Sequence, residues 1–149
     1  MLSIVSGDLL TLPQHYIKVV TVNCVGVLGA GIAKQFAAIE PHAAARYRHI
    51  CATGKLRPGN VIFETGNEGS YYLAATKDHW RNPSQLAWVE SAMLAIRRHV
   101  HNSPISQVPI AMPPLGAGLG GLNGLDVLNI ARSIFTNDPR IHVYYHLPE

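Results

Sequence analysis

Strand-sized apolar runs alternate with helix-period segments along most of the 149 residues, and no other feature constrains the fold as tightly. Val19 to Val22 is β-branched and almost wholly apolar, as a strand covered on both faces requires, and it leads into Asn23-Cys24-Val25-Gly26. From Gly29 to Glu40, Ile32, Ala33, Phe36, Ala37 and Ile39 recur at helical spacing, and Pro41 stops the helix. A second, short helix is predicted over His42 to Thr53, ended by Gly54. Asn60 to Thr65 and Tyr71 to Thr76 read as paired strands joined around Gly66-Asn67-Glu68-Gly69. After Asn82-Pro83-Ser84, Leu86, Val89, Met93, Leu94 and Ile96 mark one face of a long amphipathic helix reaching His99. Val108 to Met112 is another buried strand, and helix Asp126 to Phe135 with strand Ile141 to Tyr145 closes the chain. This order predicts an α/β fold, a three-layer α/β/α sandwich around a largely parallel or mixed central sheet. The length fits one core, whereas two independent domains would each be small.

The same text excludes several classes. With 48% apolar and 14% charged residues, and with no repeat or run of like charges, a disordered chain is not the expectation. The apolar runs stop well short of the roughly 20 residues a spanning helix needs, so no membrane segment is expected. Met1-Leu2-Ser3-Ile4-Val5 lacks the basic stretch of a secretory leader and runs straight into strand-like sequence, which implies a cytoplasmic protein. Cys24 and Cys51 lack CxxC spacing and read as free thiols, neither a disulfide framework nor a zinc site. His99 and His101 stand at a helix end without a third ligand, so no metal is expected, and no cofactor either. A net charge of +3 tolerates a polyanionic partner without indicating one.

Two glycine-rich segments carry the chemistry. GVLGAGI (Gly26 to Ile32) and LGAGLGG (Leu115 to Gly121) each follow a predicted strand. Ligands of such sheets collect at the carboxyl ends of strands, so both segments should face one cleft. Glycine lets backbone N–H groups approach phosphate oxygens, and the first segment also opens a helix whose N-terminus favours an anion. A diphosphate clamp follows, although tight turns alone would also account for either segment. No GxxxxGK[ST] is present, and Lys34 falls within the helix, which argues against a P-loop nucleotidase. The dinucleotide fingerprint fails too, because Glu40 and Glu149 are poorly placed for its ribose acid. Neither segment contains a carboxylate, against a paired-carboxylate glycosidase.

Ser6-Gly7-Asp8-Leu9-Leu10, TVNCVGVLGAGIAKQF (Thr21 to Phe36), GNVIFE (Gly59 to Glu64), ATKDHWRNPS (Ala75 to Ser84) and PPLGAGLGGL (Pro113 to Leu122), in this order, resemble a macro domain over nearly the whole of residues 1–149. VGVLGAGIAKQF with TKDHWRNPS is more narrowly similar to the DarG-like subgroup, which includes the human terminal ADP-ribose protein glycohydrolase. The resemblance implies a single domain with a cleft for ADP-ribose. It assigns Asp8, with Leu9 beside it, to the adenine amino group, and Asn23 to the distal ribose, where an amide can both donate and accept. It wraps Gly29, Ala30, Gly31 and Ile32 around the distal ribose and phosphate, and closes Leu115, Gly116, Ala117, Gly118, Leu119, Gly120 and Gly121 over the diphosphate. Tyr145, after the last strand, would stack on adenine, with Tyr144 equally visible and either suited to the core instead.

Lys77 decides the type of reaction that the resemblance implies. In DarG-like enzymes the lysine of this segment is implicated in removing ADP-ribose from thymidine in DNA. An amine can attack the opened, aldehyde form of the distal ribose, or stabilise charge near the anomeric carbon, if burial or cationic neighbours leave it partly neutral. His79, Trp80 and Arg81 extend the segment; an aromatic ring and a guanidinium suit stacking on a base and holding a phosphate, although a packing role also fits Trp80. The implied partners are ADP-ribose and its conjugates, single-stranded DNA and a cognate toxin-like ADP-ribosyltransferase. The subgroup pattern is broken in two places. Gly120 stands where the human member has an aspartate, and Asn123-Gly124 replaces an acidic-aromatic pair, so no catalytic carboxylate carries over. A hydrolase of ADP-ribosylated nucleobases is the leading expectation, beside a macro domain hydrolase of protein-linked ADP-ribose or ADP-ribose phosphate ester and a non-catalytic reader.

Overall fold

Alternation along the strands distributes side chains to two cores, which makes three layers. The computed structural model describes residues 1–147. Its elements are β1 (Leu2–Ser6), a short 3-10 turn (Leu9–Thr11), β2 (Ile17–Asn23), α1 (Gly31–Ile39), α2 (Pro41–Ala52), β3 (Val61–Thr65), β4 (Ser70–Lys77), α3 (Leu86–His101), β5 (Val108–Met112), α4 (Gly124–Phe135) and β6 (Ile141–Leu147). One sheet runs β1-β6-β5-β2-β4-β3. Every pairing is parallel except that of β3 with β4, the two strands joined by the glycine turn. Val19, Tyr72 and Ala74 enter one core with Met93 and Ile96 of α3 and Val127 and Phe135 of α4. Val20, Val22, Tyr71, Leu73 and Ala75 enter the other with Phe36 of α1 and Ala43, Ala44 and Tyr47 of α2. The α/β/α sandwich with a mixed sheet is therefore the observed architecture.

Three local features differ from the sequence expectation. The first helix begins at Gly31 rather than Gly29, because Ala30 is extended at φ −152° and Gly31 turns the chain at φ +55°. The strand β6 continues past Tyr145 to Leu147, because its end pairs with β1, Tyr145 opposite Ile4 and Leu147 opposite Ser6. The central strand β2 also buries Lys18, whose Nζ donates to the Leu10 carbonyl at 3.2 Å. Burial pushes that ammonium below its usual range, against the opposing pull of Glu40, Glu68 and Asp8. Among the described residues no helix is long and apolar enough to cross a membrane. Glu149, weighed above as a dinucleotide acid, lies outside the described residues.

Candidate functional site

The parallel strands bring their carboxyl ends to one edge of the sheet, where open α/β sheets take their ligands. Asp8 follows β1, Asn23 ends β2, Lys77 ends β4, and the second glycine segment follows β5. A register shift between Val22 and Asn23 sets Asn23 opposite Lys77, so the two stand about one strand spacing apart, ~4.8 Å. The sequence-predicted residues thus converge, but not all in the expected roles.

Asn23 is committed to the protein. Its Oδ1 accepts the N–H groups of Val25 at 3.1 Å and Val27 at 3.2 Å, and its Nδ2 donates to the Val27 carbonyl at 2.9 Å. The Tyr47 hydroxyl of α2 donates to the Asn23 carbonyl at 2.6 Å and lies 3.1 Å from Oδ1. The amide that was expected to donate and accept against ribose therefore has a fully used oxygen and one spare Nδ2 hydrogen. Its main work is to hold residues 24–27 in place. Tyr47 was not foreseen, since its partner comes from a separate strand. Burial pushes the Cys24 thiol, at the base of this loop, up to about 11, and it raises the Cys51 thiol as well, so neither is an activated nucleophile.

The loop ends at a helix terminus left open. Ala30 gives α1 no side-chain cap, and the first turn carries no acidic residue, so the leading N–H groups are free for an anion. Gly29, Ala30 and Gly31 are exposed there, and Ile32 is half-buried against the α1 core. Nothing lies within 4 Å of where a Gly31 Cβ would stand, which leaves room in front of the helix.

The second glycine loop braces itself. Ala117 N–H donates to the Pro114 carbonyl at 3.2 Å, Gly121 to Gly118 at 3.1 Å and Leu122 to Gly116 at 3.0 Å. A Cβ on Gly120 would overlap both the Gly116 carbonyl oxygen and Ser84 Oγ, whereas one on Gly118 would meet nothing within 4 Å. Ser84, buried, also donates its N–H to the Gly120 carbonyl at 3.0 Å, a contact the sequence did not signal. Leu115 lies in the core, so only its backbone faces the loop, while Leu119 is 79% exposed. Asn123 caps α4 through the N–H groups of Leu125 and Asp126, which gives the departure from the subgroup pattern a local role.

One adenine-end assignment needs correction. Tyr145 is not past the last strand but inside β6, 1% exposed and packed with the α3 and α4 core, where burial pushes its phenol up to about 12. Placed so, it cannot stack on a ligand. Leu9 likewise is 4% exposed in the second core, which leaves its backbone alone for a ligand. Asp8 stays exposed at the sheet edge, and its Oδ1 caps the 3-10 turn by accepting Leu10 N–H at 3.0 Å.

The segment after β4 ties the site together. Lys77 is half-buried, and its Nζ donates to the Trp80 carbonyl at 3.2 Å. Asp78 accepts Cys24 N–H through its backbone carbonyl at 3.3 Å, linking the segment to the first loop as Ser84 links it to the second. Trp80 is 45% exposed, not core. His79 stacks on its ring with centroids 5.4 Å apart, and the Arg81 guanidinium carbon lies 4.6 Å from the ring centroid.

The family pattern for the macro domain matches residues 19–131, which span most of β2, both glycine loops and most of α4. This chain belongs to the macro domain family. It is 36% identical over 152 residues to a Mycobacterium tuberculosis protein named DNA ADP-ribosyl glycohydrolase, covering 99% of this chain but 42% of that protein. The chain therefore spans less than half the length of the curated relatives it matches. Among solved structures, the macrodomain of Mycobacterium tuberculosis DarG matches with a TM-score of 0.91 at 34% identity, over 100% of this macro domain and 99% of that chain. Thermosipho africanus DarTG in complex with ADP-ribose matches with a TM-score of 0.84 at 29% identity, over 99% of this chain and 41% of that one.

Proposed function

We propose that this macro domain is an ADP-ribosyl glycohydrolase that releases ADP-ribose from thymidine in single-stranded DNA and so reverses a toxin-like ADP-ribosyltransferase. The observation that carries the reading is the place of Lys77, which pairs with Asn23 across adjacent strands at the sheet edge and heads a segment hydrogen-bonded to both glycine loops. The names of the M. tuberculosis relative and of the ADP-ribose-bound DarTG support it, and a Thermosipho africanus relative named as a transferase-glycohydrolase fusion supports the toxin-like partner.

In this reading ADP-ribose lies along the edge. Its adenine amino group meets the Asp8 carboxylate, and its diphosphate lies between the open N-terminus of α1 and the 116–121 loop. The distal ribose then reaches Gly29 to Ile32 and the spare Nδ2 hydrogen of Asn23, with its anomeric carbon at Lys77. Hydrolysis adds water oxygen to that carbon, breaks its bond to the base nitrogen and leaves the base with a proton. Lys77 serves either by attacking the anomeric carbon and displacing the base, which takes up a proton, to give a glycosylamine that opens to an imine and is hydrolysed by water, or by stabilising the charge that develops in the transition state. The stacked His79, Trp80 and Arg81 supply an exposed ring and a cation for the flanking strand. The cytoplasm is the proposed location, and residues 1–149 act as one domain.

Incubating the purified protein with an ADP-ribosylated thymidine oligonucleotide and with an ADP-ribosylated glutamate peptide tests the reading. Release from the oligonucleotide is expected. Release from the peptide alone would reassign the chain to the protein-directed macro domain hydrolases, and tight ADP-ribose binding without release from either would make it a reader.

A further inference from the structure

We propose that Asp78 is a positioning residue for Lys77, its carboxylate closing the turn that delivers the Trp80 carbonyl to the lysine amine. The inference rests on the glycohydrolase reading, which makes Lys77 the reacting amine. Lysine carries a compact charge on a flexible stem, so a lysine at the end of a strand needs a fixed acceptor to hold one geometry. Among the described residues, the acceptor for Nζ is the Trp80 carbonyl at 3.2 Å. Where that carbonyl points depends on the turn that follows Lys77.

One oxygen shapes the turn. Asp78 Oδ1 accepts His79 N–H at 2.7 Å and the Asn82 amide at 3.2 Å. Around it, Asn82 N–H donates to the His79 carbonyl at 3.0 Å, and Arg81 N–H donates to His79 Nδ1 at 3.1 Å. Asp78, Trp80, Arg81 and Asn82 are all exposed, so packing does little to hold the segment, and its internal hydrogen bonds must. The Asn82 amide and the His79 N–H in turn hold the Asp78 carboxyl below the usual carboxylate range, as bonds that both end on this oxygen should. The Asp78 backbone carbonyl, bonded to Cys24 N–H, anchors the turn to the first glycine loop.

Displacing the Trp80 carbonyl frees the amine, while the backbone bonds of Asp78 to Cys24 and of Ser84 to Gly120, which do not pass through the Asp78 side chain, are expected to stay. Misplacement of a reacting group by about 1 Å can cost on the order of 100-fold in rate. Asp78→Ala should therefore lower kcat by roughly 10- to 100-fold while leaving KM and ADP-ribose affinity near the parent values. Asp78→Asn should restore the rate, because its amide oxygen can accept both hydrogen bonds.

The parent, Asp78→Ala and Asp78→Asn proteins are compared in three measurements: single-turnover release from the ADP-ribosylated thymidine oligonucleotide, calorimetric binding of ADP-ribose, and the rate at which a succinimidyl ester acylates Lys77, read by peptide mass spectrometry. Slow release and a several-fold change in Lys77 acylation in Asp78→Ala only, with equal ADP-ribose affinity throughout, are expected. Parent-like release and acylation in Asp78→Ala would overturn the proposal. So would an Asp78→Asn protein as slow as Asp78→Ala, since charge and not acceptor geometry would then act, or a loss of ADP-ribose affinity in Asp78→Ala, which would make Asp78 part of the clamp. A parent protein inert on the oligonucleotide, whose Lys77 acylation still changes in Asp78→Ala and not in Asp78→Asn, would sink the glycohydrolase reading and leave the positioning role standing.

Discussion

The two glycine loops look alike in sequence and are built in opposite ways. The first is held from outside, by the Asn23 amide and the Tyr47 hydroxyl, and it releases the chain into an α1 whose leading N–H groups have no side-chain cap. The second is held by its own backbone hydrogen bonds and by lack of room at Gly120, and it hands the chain to an α4 already capped by Asn123. One loop leaves donors free for an anion, and the other supplies a shaped wall. Glycine content alone does not reveal which glycine needs space for itself and which leaves space for a ligand.

Substitutions in the second loop should separate these functions most sharply. Gly120→Ala places a methyl on the Gly116 carbonyl and on Ser84, so the loop must move; ADP-ribose binding by calorimetry should weaken by about 100-fold or more. Gly118→Ala, with open space around it, should bind nearly as the parent does. Equal losses at both positions would show that the loop is not shaped by crowding at Gly120.

A smaller effect is expected from the brace of the first loop. Asn23→Ala leaves the Val25 and Val27 N–H groups and the Val27 carbonyl without their partner, which should cost about 2–4 kcal/mol of stability. Thermal unfolding should show a fall in Tm of roughly 2–4 °C per kcal/mol. Weaker ADP-ribose binding at parent stability would instead return Asn23 to the ribose. The smallest effect belongs to the cap of the second loop. Asn123→Ala should lower stability by about 1 kcal/mol without changing ADP-ribose affinity, and a change in affinity would bring the α4 terminus into the ligand site.

The layers were legible because period-two strands and helical stripes survive in the local sequence. The partner of β1 was not, since Leu2 pairs with Val143 at the far end of the chain. Tyr145 was misplaced although the signal existed: it shares a face with Ile141 and Val143, all three in the core, whereas Tyr144 faces the other way, its ring 5.4 Å from that of Tyr16. Asn23 and Lys77 could be singled out as residue types, but their hydrogen-bond commitments could not, because Tyr47 reaches Asn23 from α2 and the Trp80 carbonyl reaches Lys77 through a turn. Ser84 escaped notice for the same reason: only folding sets it against Gly120.

The claim that most needs testing is that the clamp binds ADP-ribose while Lys77 does the chemistry. Turnover of an ADP-ribosylated thymidine oligonucleotide by Lys77→Ala, measured beside its calorimetric affinity for ADP-ribose, tests it directly. Affinity close to the parent value with a rate reduced by about 100-fold or more is expected, since the amine donates to the Trp80 carbonyl rather than to a glycine loop. Release at the parent rate would contradict both roles assigned to Lys77 and with them the proposed reaction.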